Sequence, residues 1–108
     1  MEMSWRAGRP ISTPTSDTIA DGIAVRVPVQ EALEIMRKTV DDVMLVTDDE
    51  IVDAMRRVHR DAGFVVEPAG AAGIAAIAKR RQDFAGKRVA AILTGGNVTD
   101  DQIRRWIY

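Results

Sequence analysis

The chain has 108 residues, 46% of them apolar and 29% charged, which is the composition of one soluble globular unit. A net charge of −1 argues against a dedicated nucleic-acid binder, because no surplus positive charge is available for the phosphate backbone. The absence of cysteine excludes disulfides, thiolate zinc sites and cysteine nucleophiles. No stretch reaches the roughly 18 apolar residues of a membrane span, so we expect a cytoplasmic protein.

The first half of the chain is expected to alternate helix with short extended segments. Residues 1–27, rich in Gly, Pro, Ser and Thr, are predicted to be an irregular lead-in with a short extended piece at 23–27. Apolar residues at helical spacing predict a helix over 28–39. The apolar run 43–46 is typical of a buried strand, and the capping box T-D-D-E at Thr47 opens a predicted helix over 48–61.

The second half continues this alternation. A short extended segment is predicted at 64–66, an Ala-rich helix buried at its beginning at 68–81, and a strand covered on both faces at 89–93. A second capping box, T-D-D-Q at Thr99, opens the last helix. The pattern predicts an α/β fold with a partial, mainly parallel sheet flanked by helices, forming a single partial domain over residues 1–108.

The turn after the last predicted strand, Thr94-Gly95-Gly96-Asn97, is the first candidate site, because ligands of open α/β sheets bind beyond the carboxyl ends of strands. A tight strand-to-helix turn explains the glycines equally well. Glu67 is the second candidate, since a carboxylate between apolar segments must be paired. It either accepts the free amides of Gly70 and Ala71 at the helix start or faces a polar ligand.

Other titratable side chains are expected to be structural. His59 lies on a predicted helix among arginines, which favours a solvated or packed ring over a catalytic base or metal ligand. The basic cluster 79–81 is expected to form a solvated last helical turn, where positive charge is favourable.

Four segments together resemble a known family: DTIADGIAV at 17–25, VDDV at 40–43, VEPAGAAG at 66–73 and TGGN at 94–97. In order and spacing they resemble the carboxy-terminal part of threonine/serine dehydratases. These are pyridoxal-phosphate enzymes of the tryptophan-synthase-β-like fold, fold type II, which also include serine racemase. The similarity extends over nearly the whole chain.

The resemblance implies that Thr94, which heads the TGGN motif, bonds the pyridine nitrogen of pyridoxal 5′-phosphate, with Gly95 beside it. Glu67 and the backbone around Gly22 are expected to lie near the cofactor ring. The family's Schiff-base lysine and phosphate-binding glycine loop lie in its amino-terminal part, and nothing in this sequence matches them. The resemblance therefore implies that the chain is inactive by itself.

Three hypotheses follow. By resemblance, the chain is the carboxy-terminal part of a threonine/serine ammonia-lyase that acts on a small hydroxy amino acid, with an amino-terminal dehydratase portion or a homo-oligomer as partner. Alternatively, it is a stand-alone α/β module that binds an anionic ligand at the TGGN turn, or a structural subunit that recruits another chain. The sequence does not distinguish threonine from serine as substrate, or dehydration from racemisation.

Overall fold

The computed structural model describes residues 1–108, which cluster into two compact units. Residues 1–18 and 23–45 form the first unit, and residues 19–22 and 46–108 form the second. The expectation of a single partial domain stays a prediction. None of the helices has the length and apolar character that crossing a bilayer requires.

The first unit contains two helices, α1 (Glu2–Ala7) and α2 (Gln30–Thr39), which pack against each other. Helix α1 ends at Gly8 in the left-handed conformation, with φ 71°. The fully buried Ser4 accepts a hydrogen bond from the Ile11 amide at 2.9 Å, which anchors the chain that follows. The prediction of an irregular lead-in over 1–27 is therefore wrong for α1, and the helix predicted from residue 28 begins at Gln30.

The second unit is built on α3 (Asp48–Ala62) and α4 (Pro68–Lys79), which share its largest helix–helix contact. In the predicted capping box, the Thr47 hydroxyl accepts from the Glu50 amide and the Glu50 carboxylate accepts from the Thr47 amide. Gly63 ends α3 with φ 72°. Helix α5 (Asp100–Trp106) begins at the second predicted box. The core of this unit consists of buried apolar residues of α3 and α4 and of the segments outside the helices: Ala20, Ile51, Ala54, Met55, Val58, Val66, Ala71, Ala75 and Ile107.

The helical predictions of this unit are confirmed to within a few residues. As predicted, α4 is buried at its beginning, through Pro68, Gly70 and Ala71. It ends at Lys79 rather than at 81, and a 3₁₀ turn over Arg81–Phe84 follows. Helical spacing predicts a buried stripe on α3 at Ile51, Met55, Val58 and Ala62. The first three are buried, whereas Ala62 is exposed and Ala54 is buried instead.

The predicted parallel sheet is absent from the structure, in which residues 43–46, 64–66 and 89–93 connect helices without forming strands. A strand requires a series of backbone hydrogen bonds to a neighbour. One such bond joins the ends of two predicted strands, from the Glu67 amide to the Gly95 carbonyl at 3.3 Å. The expectation that 89–93 is covered on both faces is wrong, since Ile92 is 84% exposed.

Candidate functional site

Glu67 occupies the N-cap position of α4, and Pro68 is the first residue of the helix. A carboxylate at this position usually accepts hydrogen bonds from amides of the first helical turn. The Glu67 side chain makes no such bond. Its Oε2 instead accepts a long hydrogen bond, 3.4 Å, from the amide of Asn97. The explanation of Glu67 as a helix cap is therefore wrong, and the carboxylate turns towards the 94–97 turn.

The 94–97 turn lies against the first turn of α4, and two glycines allow this contact. A Cβ atom on Gly70 would overlap the carbonyl oxygen of Thr94 and would lie 3.0 Å from its amide nitrogen. A Cβ atom on Gly95, whose φ is +69°, would overlap the carboxylate of Glu67. Because Gly70 has no side chain, the first turn of α4 thus packs directly against the main chain of Thr94.

Gly22 reaches the same place from a separate part of the sequence, in the 3₁₀ turn Asp21–Ile23. A Cβ atom on Gly22 would lie 3.1 Å from the Ala69 Cβ and 3.5 Å from Glu67 Oε1. All four residues that the resemblance singles out therefore meet within the second unit. We call them, with Gly70 and Asn97, the Glu67 cluster: Gly22, Glu67, Gly70, Thr94, Gly95 and Asn97.

The Thr94 side chain is exposed and its hydroxyl makes no hydrogen bond within the chain. A free hydroxyl can donate one hydrogen bond and accept others. The backbone that carries it is held by the contact with Gly70, and the amide of Val98 closes the turn by donating to the Gly96 carbonyl at 2.8 Å. The Glu67 cluster thus exposes the Thr94 hydroxyl without a partner, and the contact with α4 holds the backbone that carries it.

Sequence reasoning missed the role of the Asn97 amide in the Glu67 cluster. The TGGN motif contains Asn97, but only the tertiary fold shows that its backbone donor points at Glu67. The unpaired carboxylate at the start of an apolar helix was the available signal, because such a group must find a donor somewhere.

Two further titratable side chains of the second unit, Lys79 and His59, have structural contacts. Lys79, at the carboxy-terminal end of α4, donates to Glu50 Oε2 at 3.1 Å and so joins α4 to α3. Its side chain is also exposed to solvent, as predicted for the basic cluster 79–81. Hydrogen bonding from the Thr47 amide, and then from Lys79, lowers the pKa of Glu50 below its ordinary value. The His59 ring packs edge-on against Tyr108, with 5.6 Å between ring centroids, as expected for a packed histidine.

Comparison with known proteins gives matches along almost the entire chain. A family model described as "Pyridoxal-phosphate dependent enzyme" matches residues 1–95. The L-threonine ammonia-lyase of Thermotoga maritima is 39% identical over 107 residues, which are 99% of this chain and 26% of that protein. The L-threo-3-hydroxyaspartate ammonia-lyase of a Pseudomonas species is 38% identical over 97 residues, 90% of this chain and 30% of that protein.

Solved structures agree with these matches. The structure of maize serine racemase superposes with a TM-score of 0.83 at 32% identity, and the match covers 96% of this chain and 34% of that chain. The chain thus spans a quarter to a third of the length of these relatives. Their names describe two lyase reactions and a racemisation.

Proposed function

Because the chain belongs to the family of pyridoxal-phosphate dependent enzymes, we propose that it forms the ring-nitrogen side of a pyridoxal 5′-phosphate site. We further propose that the complete enzyme is an ammonia-lyase acting on threonine or a related hydroxy amino acid. In this proposal Thr94 and Gly95 contact the cofactor. Glu67 and Gly22 pack beside these two residues and support them.

One observation carries the proposal: the Glu67 carboxylate faces Asn97 and Gly95 instead of capping α4. A helix-start carboxylate with a purely local role would bond the first-turn amides. This one spans 30 residues of sequence to contact the TGGN turn, whose leading hydroxyl has no partner within the chain. The residues of the Glu67 cluster therefore fit a cofactor whose ring places a hydrogen-bonding atom next to Thr94.

The chemistry of a hydroxyl at this position suits elimination. When bound, pyridoxal phosphate withdraws electrons from the α-carbon of an amino acid. Thr94 is neutral, so its hydroxyl would donate to the pyridine nitrogen without holding a proton there, as a carboxylate would. Electron withdrawal is then weaker, which is sufficient where a leaving β-hydroxyl removes charge from the substrate.

Glu67 acts in this proposal as a positioning residue. Its backbone amide donates to the Gly95 carbonyl at 3.3 Å, and its carboxylate accepts from the Asn97 amide at 3.4 Å. These two bonds hold both sides of the turn that carries the Thr94 hydroxyl. Because Gly95 has no Cβ, the carboxylate fits directly beneath it.

The lysine that links the cofactor covalently is proposed to come from an amino-terminal portion of the enzyme. Lys79 is held by Glu50 and lies about 16 Å along α4 from Pro68, by the rise of an α-helix. Lys38 and Lys87 occupy exposed positions on α2 and in a loop. We therefore propose that activity requires this chain together with such a portion, and that the chain without it is inactive.

The same geometry disfavours an anionic ligand at the TGGN turn. The Asn97 amide already donates to a carboxylate, and the negative charge of Glu67 lies beside Gly95. At the start of α5, the Thr99 hydroxyl accepts from the Gln102 amide. A second anion here would meet charge repulsion and few free donors.

A chimera tests the proposed function. This chain replaces the segment that it matches in the Thermotoga maritima L-threonine ammonia-lyase, and pyridoxal phosphate is added. We expect the visible absorbance of bound cofactor and release of 2-oxobutanoate from threonine. Parallel assays with L-serine and L-threo-3-hydroxyaspartate, and a chiral assay for D-serine, identify the substrate and the reaction.

Thr94 supplies the matched pair of variants. Thr94→Ala removes the hydroxyl and should lower kcat/KM about tenfold, as expected for one lost hydrogen bond of roughly 1.4 kcal/mol. Thr94→Ser keeps the hydroxyl and should retain most activity. A chimera that folds but binds no cofactor, or an alanine variant as active as the serine variant, would contradict the assignment of Thr94.

A further inference from the structure

An apolar groove lies between the carboxy-terminal halves of α3 and α4, away from the start of α4 and the Glu67 carboxylate. Its volume is about 680 Å³. The residues that line it come from α3, α4, the following 3₁₀ turn and the predicted strand: Arg57, Val58, Asp61, Ala62, Ile74, Ile77, Ala78, Arg81 and Leu93. The volume lies within the range of roughly 300–1,000 Å³ that small-molecule sites occupy.

The floor of the groove is aliphatic. Ile74 and Ile77 face it from α4 and Leu93 from the segment before the TGGN turn, and none of these side chains is fully buried. The exposed Ala62, which was expected to continue the buried stripe of α3, also lines this groove. An aliphatic ligand would remove this surface from water, which is favourable by about 25 cal/mol per Å².

The rim of the groove carries unpaired positive charge. Arg57 and Arg81 form no hydrogen bond or ion pair within the chain. The carboxylate at the rim, Asp61, is held by Arg60 with nitrogen–oxygen distances of 2.7 and 3.2 Å. This bidentate pair lowers the pKa of Asp61, with a smaller contribution from the charge of Arg57. Asp61 is thus paired with Arg60, and Arg57 acts on it only through the attraction of its charge, so the guanidinium groups of Arg57 and Arg81 both keep their hydrogen-bond donors available.

We propose that this groove is a binding site for a small aliphatic carboxylate, whose hydrocarbon chain lies on Ile74, Ile77 and Leu93. Its carboxylate is bound by the guanidinium groups of Arg57 and Arg81. Charge and shape both support this occupant, because a guanidinium matches a carboxylate in planar geometry and the floor offers no polar side chain.

The size of the groove favours a small molecule over a protein segment. Its volume of about 680 Å³ lies within the range of roughly 300–1,000 Å³ for small-molecule sites. Leu93 immediately precedes Thr94, so a ligand on the groove floor would contact the residue next to the proposed cofactor contact. The proposal itself does not depend on the cofactor site.

The test uses the 108-residue chain and octanoate as the probe, at low ionic strength because salt screens exposed arginines. We expect one bound octanoate per chain by isothermal titration calorimetry, with methyl NMR shifts at Ile74, Ile77 and Leu93. Octylammonium, which has the same hydrocarbon chain and the opposite charge, is expected to bind at least about tenfold more weakly.

The variant Arg57→Gln/Arg81→Gln should weaken octanoate binding by about tenfold or more, the loss expected for two charge-assisted contacts. Arg9→Gln/Arg26→Gln removes the same net charge from exposed arginines elsewhere and should leave the Kd unchanged. Circular dichroism verifies the fold, and Arg81→Gln alone, in the 3₁₀ turn, provides a milder variant.

Equal binding of octanoate and octylammonium, an unchanged Kd in the Arg57/Arg81 variants, or NMR shifts confined to other residues would each overturn the proposal. An acidic amphipathic peptide that displaces octanoate and binds more tightly would overturn the choice of a small molecule.

Discussion

Replacing Gly70 by alanine tests the contact between the 94–97 turn and the first turn of α4. In an isolated helix this substitution stabilises by about 1 kcal/mol, because alanine has the higher helix propensity. Here the new Cβ would overlap the carbonyl oxygen of Thr94, which is main chain and cannot rotate away. Overpacking of this kind costs up to about 3 kcal/mol. We therefore expect a net destabilisation of about 2 kcal/mol.

Gly73 is the matched control on the same helix. A Cβ atom there would lie 3.7 Å from the Ala91 Cβ, an ordinary van der Waals contact. Gly73→Ala should therefore stabilise by about 1 kcal/mol through helix propensity alone. The two variants should differ by about 3 kcal/mol, or about 12 °C in Tm at roughly 4 °C per kcal/mol for a chain of this size.

Urea denaturation followed by far-UV circular dichroism measures both free energies of unfolding, and thermal melts give the two Tm values. In the chimera, Gly70→Ala should also lower activity, since the same overlap displaces Thr94, whereas Gly73→Ala should not. If Gly70→Ala is as stable as Gly73→Ala, the turn does not pack on α4 and the geometry of the Glu67 cluster is incorrect.

Three further predictions concern the caps, one carboxylate and a second glycine. Thr47→Ala should cost about 1 kcal/mol in urea denaturation by removing the N-cap acceptor of α3, whereas Thr47→Ser should not. Since the pKa of Glu50 is lowered in the folded chain, its stabilisation is present above the unfolded pKa and is lost as pH falls through the folded one. Lys79→Met should raise the Glu50 pKa in an NMR titration, and no change would contradict the ion pair. Gly95→Ala should destabilise more than Gly86→Ala, because both have positive φ but only Gly95 would meet a carboxylate.

Helix positions were largely predictable because their signals are local. The boxes at Thr47 and Thr99 pair a hydroxyl and a side chain three residues apart, so the sequence alone places both donors and acceptors. Gly63 ends α3 for a similar reason, since glycine adopts a positive φ without steric cost.

The predicted strands were wrong because strand formation is not local. An apolar run such as 89–93 forms a strand only if another segment offers a series of matching backbone donors and acceptors, and the chain forms no such series with it beyond the single bond between Glu67 and Gly95. The resemblance implied the correct family, while periodicity implied a sheet that these 108 residues do not form.

Glu67 shows which part of the site could be deduced from the sequence and which part only the tertiary structure decided. Its sequence context showed that a carboxylate at the start of an apolar helix needs a donor, and left open whether that donor is local. Only folding, which packs residues 94–97 on Gly70, brought the Asn97 amide to it. Short-range hydrogen bonds can be deduced from spacing along the chain, whereas a pairing across 30 residues depends on how helices and turns pack.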